Sequence, residues 1–193
     1  MKIVLASASP RRQELLKHIF GDFIVHTSSC GENAVFKTPS SYVMELALQK
    51  ARDVASHYLD CSEEVLIIGA DTIVFSDGTV LGKPSDREDA YQMIKSLSGK
   101  THEVYTGIAL IHIQNTSPKE YSSYECTKVH VQNLSEEEIH SYINTSEPYD
   151  KAGSYGVQGL FSKHISGIEG DYFNVVGLPV HLLYEELKMH NII

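Results

Sequence analysis

The sequence has no apolar run long enough to cross a membrane. Such a span needs about 18 or more consecutive apolar residues, and none occurs in the chain. The N-terminal stretch MKIVLASASPRR carries its arginines after its short apolar part, the reverse of the order in a secretory signal. We therefore expect a soluble, cytoplasmic protein without a membrane partner.

Cysteine is scarce, with 3 residues in the whole chain. Cys30, Cys61 and Cys126 are odd in number and far apart, so they indicate neither a disulfide framework nor a CxxC metal site. We expect three reduced, structural thiols.

Positive charge is also in short supply. Lys and Arg number 16 against 25 Asp and Glu, which gives a formal net charge of -9. This balance argues against a protein that coats DNA or RNA, because such binding depends on many cations that neutralise phosphates. A small anionic ligand is compatible with it, provided that some of the cations form a local cluster.

What is present is the pattern of a compact α/β chain. At 193 residues and 42% hydrophobic composition, the chain can bury a core as one domain over 1–193, or as two small lobes. Helices that alternate with buried strands and hairpin strands favour a mixed β-sheet. We predict strands at 2–6, about 22–28, 65–70, 101–113, 120–132 and 171–176, and a hairpin turn at Asp77-Gly78. We predict helices at about 10–20, 40–58, 85–98, 135–145 and after Pro179.

Two arginines stand at the first junction between strand and helix, in the stretch LASASPRRQELL. Ser9 followed by Pro10 is a helix start, which directs free N–H groups and the positive end of the helix dipole towards an anion. Arg11 and Arg12 in the first turn are unfavourable to that dipole by about 0.3–1 kcal/mol each, so a bound anion would compensate. Two solvated surface arginines explain these residues equally well.

Lys50 falls on the apolar stripe of the second predicted helix, four residues from both Leu46 and Val54. A lysine in this position commonly extends past the stripe into water. The alternative is that its ammonium group points into a cleft that holds an anion.

Asp71 follows VLIIGA, the most apolar strand of the chain. Ligands of open α/β sheets bind at the carboxyl ends of strands, so this aspartate is a candidate site residue, although it also suits a turn beside Thr72. Glu32 lies in a loop and is a candidate second carboxylate. Mg²⁺ typically takes one or two carboxylates together with phosphate oxygens and water.

Three further candidates lie in glycine-containing loops, where backbone can approach a ligand closely. Lys83 stands in LGKP, and Lys151 and Gln158 stand in YDKAGSYGVQG. The amide of Gln158 offers donors and an acceptor that suit a nucleobase edge, although a free surface glutamine is the commoner case.

Taken together, eight segments resemble the Maf family of nucleoside triphosphate pyrophosphatases over essentially the whole chain. Each is weak alone, but their shared order and spacing are specific. The segments are LASASPRRQELL, LQKA, IIGADTIV, LGKPSD, LSGKTHEVYTGIAL, SEEEI, EPYDKAGSYGVQG and GDYFNVVGLPV.

The resemblance implies hydrolysis of a nucleoside triphosphate to its monophosphate and pyrophosphate, with a divalent cation, Mg²⁺ or Mn²⁺. It implies an elongated α/β fold, a mixed sheet flanked by helices, with two lobes and a deep central cleft, commonly as a homodimer. The DKAGSYGVQG form is similar to the branch that acts on dTTP and UTP. The functional positions that it implies are Ser7, Arg11, Arg12, Glu32, Lys50, Asp71, Thr72, Lys83 and Gln158.

Among these positions we expect Asp71, Lys50 and Lys83 to act in catalysis, and Glu32 with Asp71 to hold the metal. An unperturbed aspartate, with a pKa of about 3.9, is a weak base for ordinary water, so a metal ion has to acidify the attacking water. The remaining positions, together with Lys151, are expected to bind the substrate.

The sequence supports two other classes of function less well. A nucleotide-binding regulator of cell division would have no turnover, but a pure binder of polyphosphate needs no carboxylates directed at its ligand. An oxidoreductase with a dinucleotide cofactor is disfavoured, because the first strand–helix junction reads SASPRR and contains no GxGxxG motif.

Overall fold

The computed structural model describes residues 1–31, 34–35 and 37–193. Helices along this part of the chain are interspersed with single strands and hairpin strands, as the sequence predicts. In chain order they are β1 (Lys2–Leu5), α1 (Pro10–Leu16), β2 (Ile24–Val25), α2 (Pro39–Ala55), β3 (Val65–Ser76), β4 (Thr79–Leu81), α3 (Arg87–Leu97), β5 (Thr101–Gln114), β6 (Ser117–Val131), α4 (Glu136–Ile143), β7 (Ile165–Glu169), α5 (Tyr172–Val176) and α6 (Val180–Met189).

Over the described residues, the strands form one mixed sheet of seven. β1 pairs in parallel with both β2 and β3, whereas β4 pairs antiparallel with β3, and β7 antiparallel with β6. Hydrogen-bonded neighbours follow the order β2-β1-β3-β5-β6-β7, and β4 is also paired with β3. The predicted α/β class with a mixed sheet is confirmed.

The chain divides into two compact units, each with an apolar core of its own. The first comprises Met1–Asp71, Thr106–Glu125 and Gly177–Ile193, and the second comprises Thr72–Tyr105 and Cys126–Val176. The core of the first unit joins α2 to β1, β3 and β5, and the core of the second joins α3 and α4 to the aromatic rings of Tyr155 and Phe161. That residues 1–193 form a single domain stays a prediction.

Local signals in the sequence placed two features correctly. Asp77 and Gly78 both have positive φ, 49° and 79°, and they close the β3–β4 hairpin between Ser76 and Thr79. This is the turn geometry that matches the twist of the flanking strands. Ser135 caps α4 and exchanges hydrogen bonds with Glu138, as the predicted capping box requires.

Among the sequence predictions, the end of α1 and the strand at 171–176 are wrong. α1 ends at Leu16 rather than near Phe20, because the backbone beyond it tightens: the N–H groups of His18 and Ile19 bond to carbonyls only three residues back. Residues 171–176 are not a strand, since Tyr172–Val176 is helical. The side chain of Asp171 accepts a hydrogen bond from the backbone N–H of Phe173 at 2.7 Å, which favours a helical turn there.

No helix in the described ranges combines the length and the hydropathy that a membrane span needs.

Candidate functional site

Two glycines allow helix α2 to lie directly on the sheet of the first unit. A Cβ atom on Gly69 of β3 would collide with the carbonyl oxygen of Ala47, and one on Gly107 of β5 would collide with the backbone carbonyl of Val43. The helix backbone therefore lies against the strand backbones. Thr38 caps the start of this helix through a reciprocal hydrogen-bond pair with Ser41.

This close packing joins Lys50 of α2 to Asp71 of β3. The ammonium group donates to Asp71 Oδ1 at 2.5 Å, and the two side chains are 18% and 10% exposed. The anion that Lys50 contacts from the apolar side of α2 is thus the carboxylate of Asp71. Because neither charge is buried without a partner, the pair avoids the large cost of an isolated charge in the core.

Asp71 does not end its strand, contrary to the prediction. β3 continues for five residues to Ser76, because its last part forms the hairpin ladder with β4, from Val74 paired with Leu81 to Ser76 paired with Thr79. Asp71 is therefore a buried polar residue within a strand, 7% exposed. The strand is paired with β1 before this residue, up to Ile68, and with β4 after it, from Val74 onwards.

Arg12 is anchored within the first unit. Its Nε donates to the backbone carbonyl of Gly177 at 2.8 Å, and its Nη1 donates to the hydroxyl of Ser7 at 3.2 Å. Ser9, the N-cap of α1, accepts from the backbone N–H of Arg12 at 3.4 Å. The arginine predicted to bind an anion is therefore oriented by protein groups, with the buried Ser7 among them. Arg11, beside it in α1, is half-buried.

In the second unit, the loops that carry Lys83 and Lys151 are joined through their neighbours. The backbone N–H of Gly153 donates to the carbonyl of Gly82 at 2.9 Å. The ammonium group of Lys151 donates to the carbonyl of Glu147 at 2.8 Å and to Asp150 Oδ1 at 2.5 Å. The side chain of Lys83 is exposed, whereas that of Lys151 is only 16% exposed.

Gln158 occupies the tip of a tight turn in the same unit. The N–H of Gly159 donates to the carbonyl of Gly156 at 3.3 Å, which closes a four-residue turn with Val157 and Gln158 at its centre. Val157 is buried and Gln158 is exposed, so the turn presents the glutamine amide to solvent. Thr72, which is also expected to bind the substrate, is a half-buried residue of β3.

Asp71 and Glu32 are the two carboxylates predicted to hold a divalent cation, and the structure describes Asp71. Glu32 lies outside the described residues. Among the residues that are described, no group of three or more His, Cys, Asp or Glu side chains is placed to hold a metal. Mg²⁺ needs no such group, since it commonly takes one or two carboxylates and fills its other positions with substrate phosphates and water. Asp71 is compatible with that kind of site.

Sequence reasoning missed the two glycines that seat α2. A signal for them exists, because a glycine inside a strand pattern indicates close approach of another backbone. It also missed the carbonyl groups of Gly177 and Glu147, which accept from Arg12 and Lys151. Backbone acceptors depend on the fold and leave no mark in the sequence.

Comparison with known proteins places the chain in a family. The model of the Maf-like protein family matches residues 2–190. A protein from Agathobacter rectalis named dTTP/UTP pyrophosphatase is 50% identical over 197 residues, covering 97% of this chain and 96% of the relative. A protein of the same name from Thermoanaerobacter sp. (strain X514) is 50% identical, and the match covers 97% of this chain and 96% of the relative. Another from Clostridium perfringens is 44% identical, and the match covers 100% of this chain and 98% of the relative.

Among solved structures, the Staphylococcus aureus Ham1 protein matches 98% of this chain, and all of its own, with a TM-score of 0.46 and 13% identity. A similarity of that size adds nothing to the assignment. The family match over nearly the whole sequence, with full-length relatives at about half identity, shows that the chain belongs to the Maf-like protein family.

Proposed function

We propose that this protein is a metal-dependent nucleoside triphosphate pyrophosphatase that converts dTTP and UTP to the monophosphate and pyrophosphate. The observation that carries the proposal is 50% identity over 97% of the chain to a protein named dTTP/UTP pyrophosphatase. The buried Lys50–Asp71 pair supports it, because a carboxylate held at a fixed position is what a hydrolytic site requires.

Substrate binding is assigned to the positions that the family resemblance implies, together with Lys151. In the first unit, Arg11 and Arg12 bind phosphate oxygens, and Ser7 orients Arg12 and lies close enough to share the ligand. An oriented guanidinium group suits this task because its fork of N–H donors matches a phosphate. In the second unit, Lys83 and Lys151 supply further positive charge, while Thr72 and Gln158 contact the nucleoside.

In the reaction, water attacks the α-phosphorus, the bond from that phosphorus to the bridging oxygen breaks, and pyrophosphate leaves. Asp71 orients the water and accepts its proton on a carboxylate oxygen. Lys50 holds the carboxylate in place through the 2.5 Å contact and balances its charge when substrate is absent. Lys83 stabilises the negative charge that builds up on the leaving group.

A bound Mg²⁺ or Mn²⁺ would acidify the attacking water and offset charge on the pyrophosphate. Asp71 is the described residue that would hold it, and Glu32 is proposed as the second carboxylate. The acceptor set of one or two carboxylates plus phosphate oxygens fits a hard cation of this kind.

The test is pyrophosphate release from dTTP, UTP, CTP and GTP with Mg²⁺, repeated with a chelator in excess. We expect turnover of dTTP and UTP that the chelator abolishes and added Mg²⁺ restores. A regulator that only binds nucleotide would show affinity for dTTP without pyrophosphate, and that result would reject the proposal. For base recognition, Gln158→Ala is compared across the four nucleotides, and an unchanged order of preference would remove Gln158 from this role.

We also propose a cytoplasmic homodimer, in line with the family resemblance. Light scattering coupled to size exclusion measures the mass directly, and a mass equal to the 21.5 kDa chain would reject the dimer.

A further inference from the structure

The carboxylate of Glu147 lies at the base of the turn that carries Gln158. Its Oε2 accepts from the backbone N–H of Leu160 at 2.7 Å. Its Oε1 accepts from the backbone N–H of Phe161 at 3.4 Å and from the hydroxyl of Tyr142 at 3.1 Å. The carboxylate therefore ties the chain directly after the turn to helix α4.

Tyr142 is a lasting donor in this arrangement. Burial raises the pKa of its hydroxyl well above the usual value, and the negative charge of Glu147 raises it further. The proton therefore stays on the tyrosine throughout the neutral range and points to the carboxylate. The ring itself packs against Phe161 in the core of the second unit.

Gly156 and Gly159 are the first and last residues of the turn that carries Gln158, and side chains fill the space beside both. A Cβ atom on Gly159 would collide with the carboxylate of Glu147, and one on Gly156 would lie 2.8 Å from the Cε of Lys151. Lys151 in turn donates to the backbone carbonyl of Glu147. Glu147 thus supports the turn directly through its carboxylate, and indirectly through Lys151.

We propose that Glu147 is a positioning residue for base recognition: its carboxylate fixes the Gly156–Gly159 turn so that the amide of Gln158 meets the nucleobase in one orientation. This rests on the proposed function, in which Gln158 reads the base. Glu147 touches neither substrate nor reacting atoms and acts through Gln158. Its loss should therefore change the choice between nucleotides rather than the chemical step.

The test measures kcat/KM for dTTP and for GTP in wild type, Glu147→Ala, Glu147→Gln, Gln158→Ala and the double variant Glu147→Ala/Gln158→Ala. We expect Glu147→Ala to lower the ratio of dTTP to GTP by about tenfold, and Glu147→Gln, which keeps one accepting oxygen, by about threefold. In the Gln158→Ala background, the change from Glu147→Ala should be less than about twofold, because the residue it acts through is gone.

A residue needed only for folding would lower kcat/KM for both nucleotides alike and leave the ratio unchanged, which would overturn the inference. An equal change of the ratio with and without Gln158 would overturn it as well. Glu137→Gln is the matched control, since it removes one exposed carboxylate of the same unit, on α4, and should leave the ratio at its wild-type value.

A second measurement needs no turnover. Amide hydrogen exchange at Leu160 and Phe161 should be about tenfold faster in Glu147→Gln or Glu147→Ala, because their N–H groups lose a charged acceptor. Unchanged exchange would overturn the role of Glu147 even in an active enzyme. Absence of hydrolysis by the wild type would instead refute the proposed function, so the two failures are distinguishable. If Glu147→Ala does not fold, Glu147→Gln carries both measurements.

Discussion

Replacing Asp71 by asparagine removes the proposed base while keeping the shape of the side chain. Loss of a general base commonly lowers the rate by 10²–10⁴-fold, which corresponds to about 3–5 kcal/mol of barrier at 1.36 kcal/mol per tenfold. We expect kcat for dTTP to fall by at least about 100-fold. KM should rise less than kcat falls, because the arginines and lysines that bind the phosphates remain, and only the hold of Asp71 on the cation is lost.

The same substitution has a cost in stability that the structure bounds. The side chains of Lys50 and Asp71 are 18% and 10% exposed, so the pair is largely withdrawn from water. Removing one partner of a buried pair typically costs about 3–5 kcal/mol. Asparagine retains an oxygen that can accept from Lys50, so we expect about 1–3 kcal/mol for Asp71→Asn and a value near the upper bound for Asp71→Ala.

Pyrophosphate release at saturating dTTP and urea unfolding of the same preparations measure both quantities. Glu120→Gln is a suitable control, because it breaks a more exposed ion pair and should leave kcat unchanged. In that pair the side chain of Arg52 is 50% exposed and that of Glu120 is 36% exposed. A folded Asp71→Asn variant that retains kcat within a factor of ten would refute the role of this carboxylate as base. A stability loss below that of Glu120→Gln would refute the argument from burial.

Three other changes test separate parts of the structure. Arg12→Lys loses the planar fork that bonds the Gly177 carbonyl, and we expect KM for dTTP to rise about 10-fold or more in steady-state kinetics, whereas an unchanged KM would exclude Arg12 from phosphate binding. Gly69→Ala should lower the free energy of unfolding by about 1–3 kcal/mol in urea titrations, because its Cβ would push α2 off the sheet, and a neutral result would contradict that packing. Burial lowers the pKa of His102 to about 4 from the usual 6.5. As pH falls, the imidazole is therefore protonated in the unfolded chain before it is protonated in the folded protein. The free energy of unfolding is unaffected above pH 6.5 and decreases as pH falls towards 4, by about 2–3 kcal/mol at pH 4.5. Urea titrations at pH 7 and pH 4.5 check this, and a His102→Gln variant with the same pH dependence as wild type would contradict it.

The features that the sequence predicted well are those that depend on neighbours along the chain. The Asp77-Gly78 turn follows from the conformational preferences of two residues, and the Ser135–Glu138 capping box from groups three positions apart. Composition alone misassigned Tyr172–Val176, because a run of apolar and branched residues suits a buried strand and a short helix equally well. The local hydrogen bond from Phe173 to Asp171 favours the helix.

The same distinction applies to the candidate site: the features set by neighbours along the chain were predicted, and the contacts between distant segments were not. The spacing of apolar residues placed Lys50 on the buried side of α2, but the partner of its ammonium group, 21 positions away, became visible only in the fold. The apolar run before Asp71 indicated a buried strand correctly, yet it did not show that pairing with β4 would carry the strand on to Ser76. Contacts between distant segments depend on register and packing, which a single sequence does not encode in any local pattern.

The Lys50–Asp71 pair is a poor choice for stability alone, and that is the strongest physical reason to look for chemistry there. The neighbouring residues of α2 and β3, such as Ala51 and Ile67, belong to the apolar core of the first unit. An apolar pair of similar volume would join that core without any charge to desolvate. Replacing buried ion pairs in this way is often neutral or stabilising. Folding therefore gives no reason for a carboxylate inside the most apolar strand, whereas hydrolysis does, because a base that is held rigidly and has its charge balanced can accept a proton without reorganising its environment.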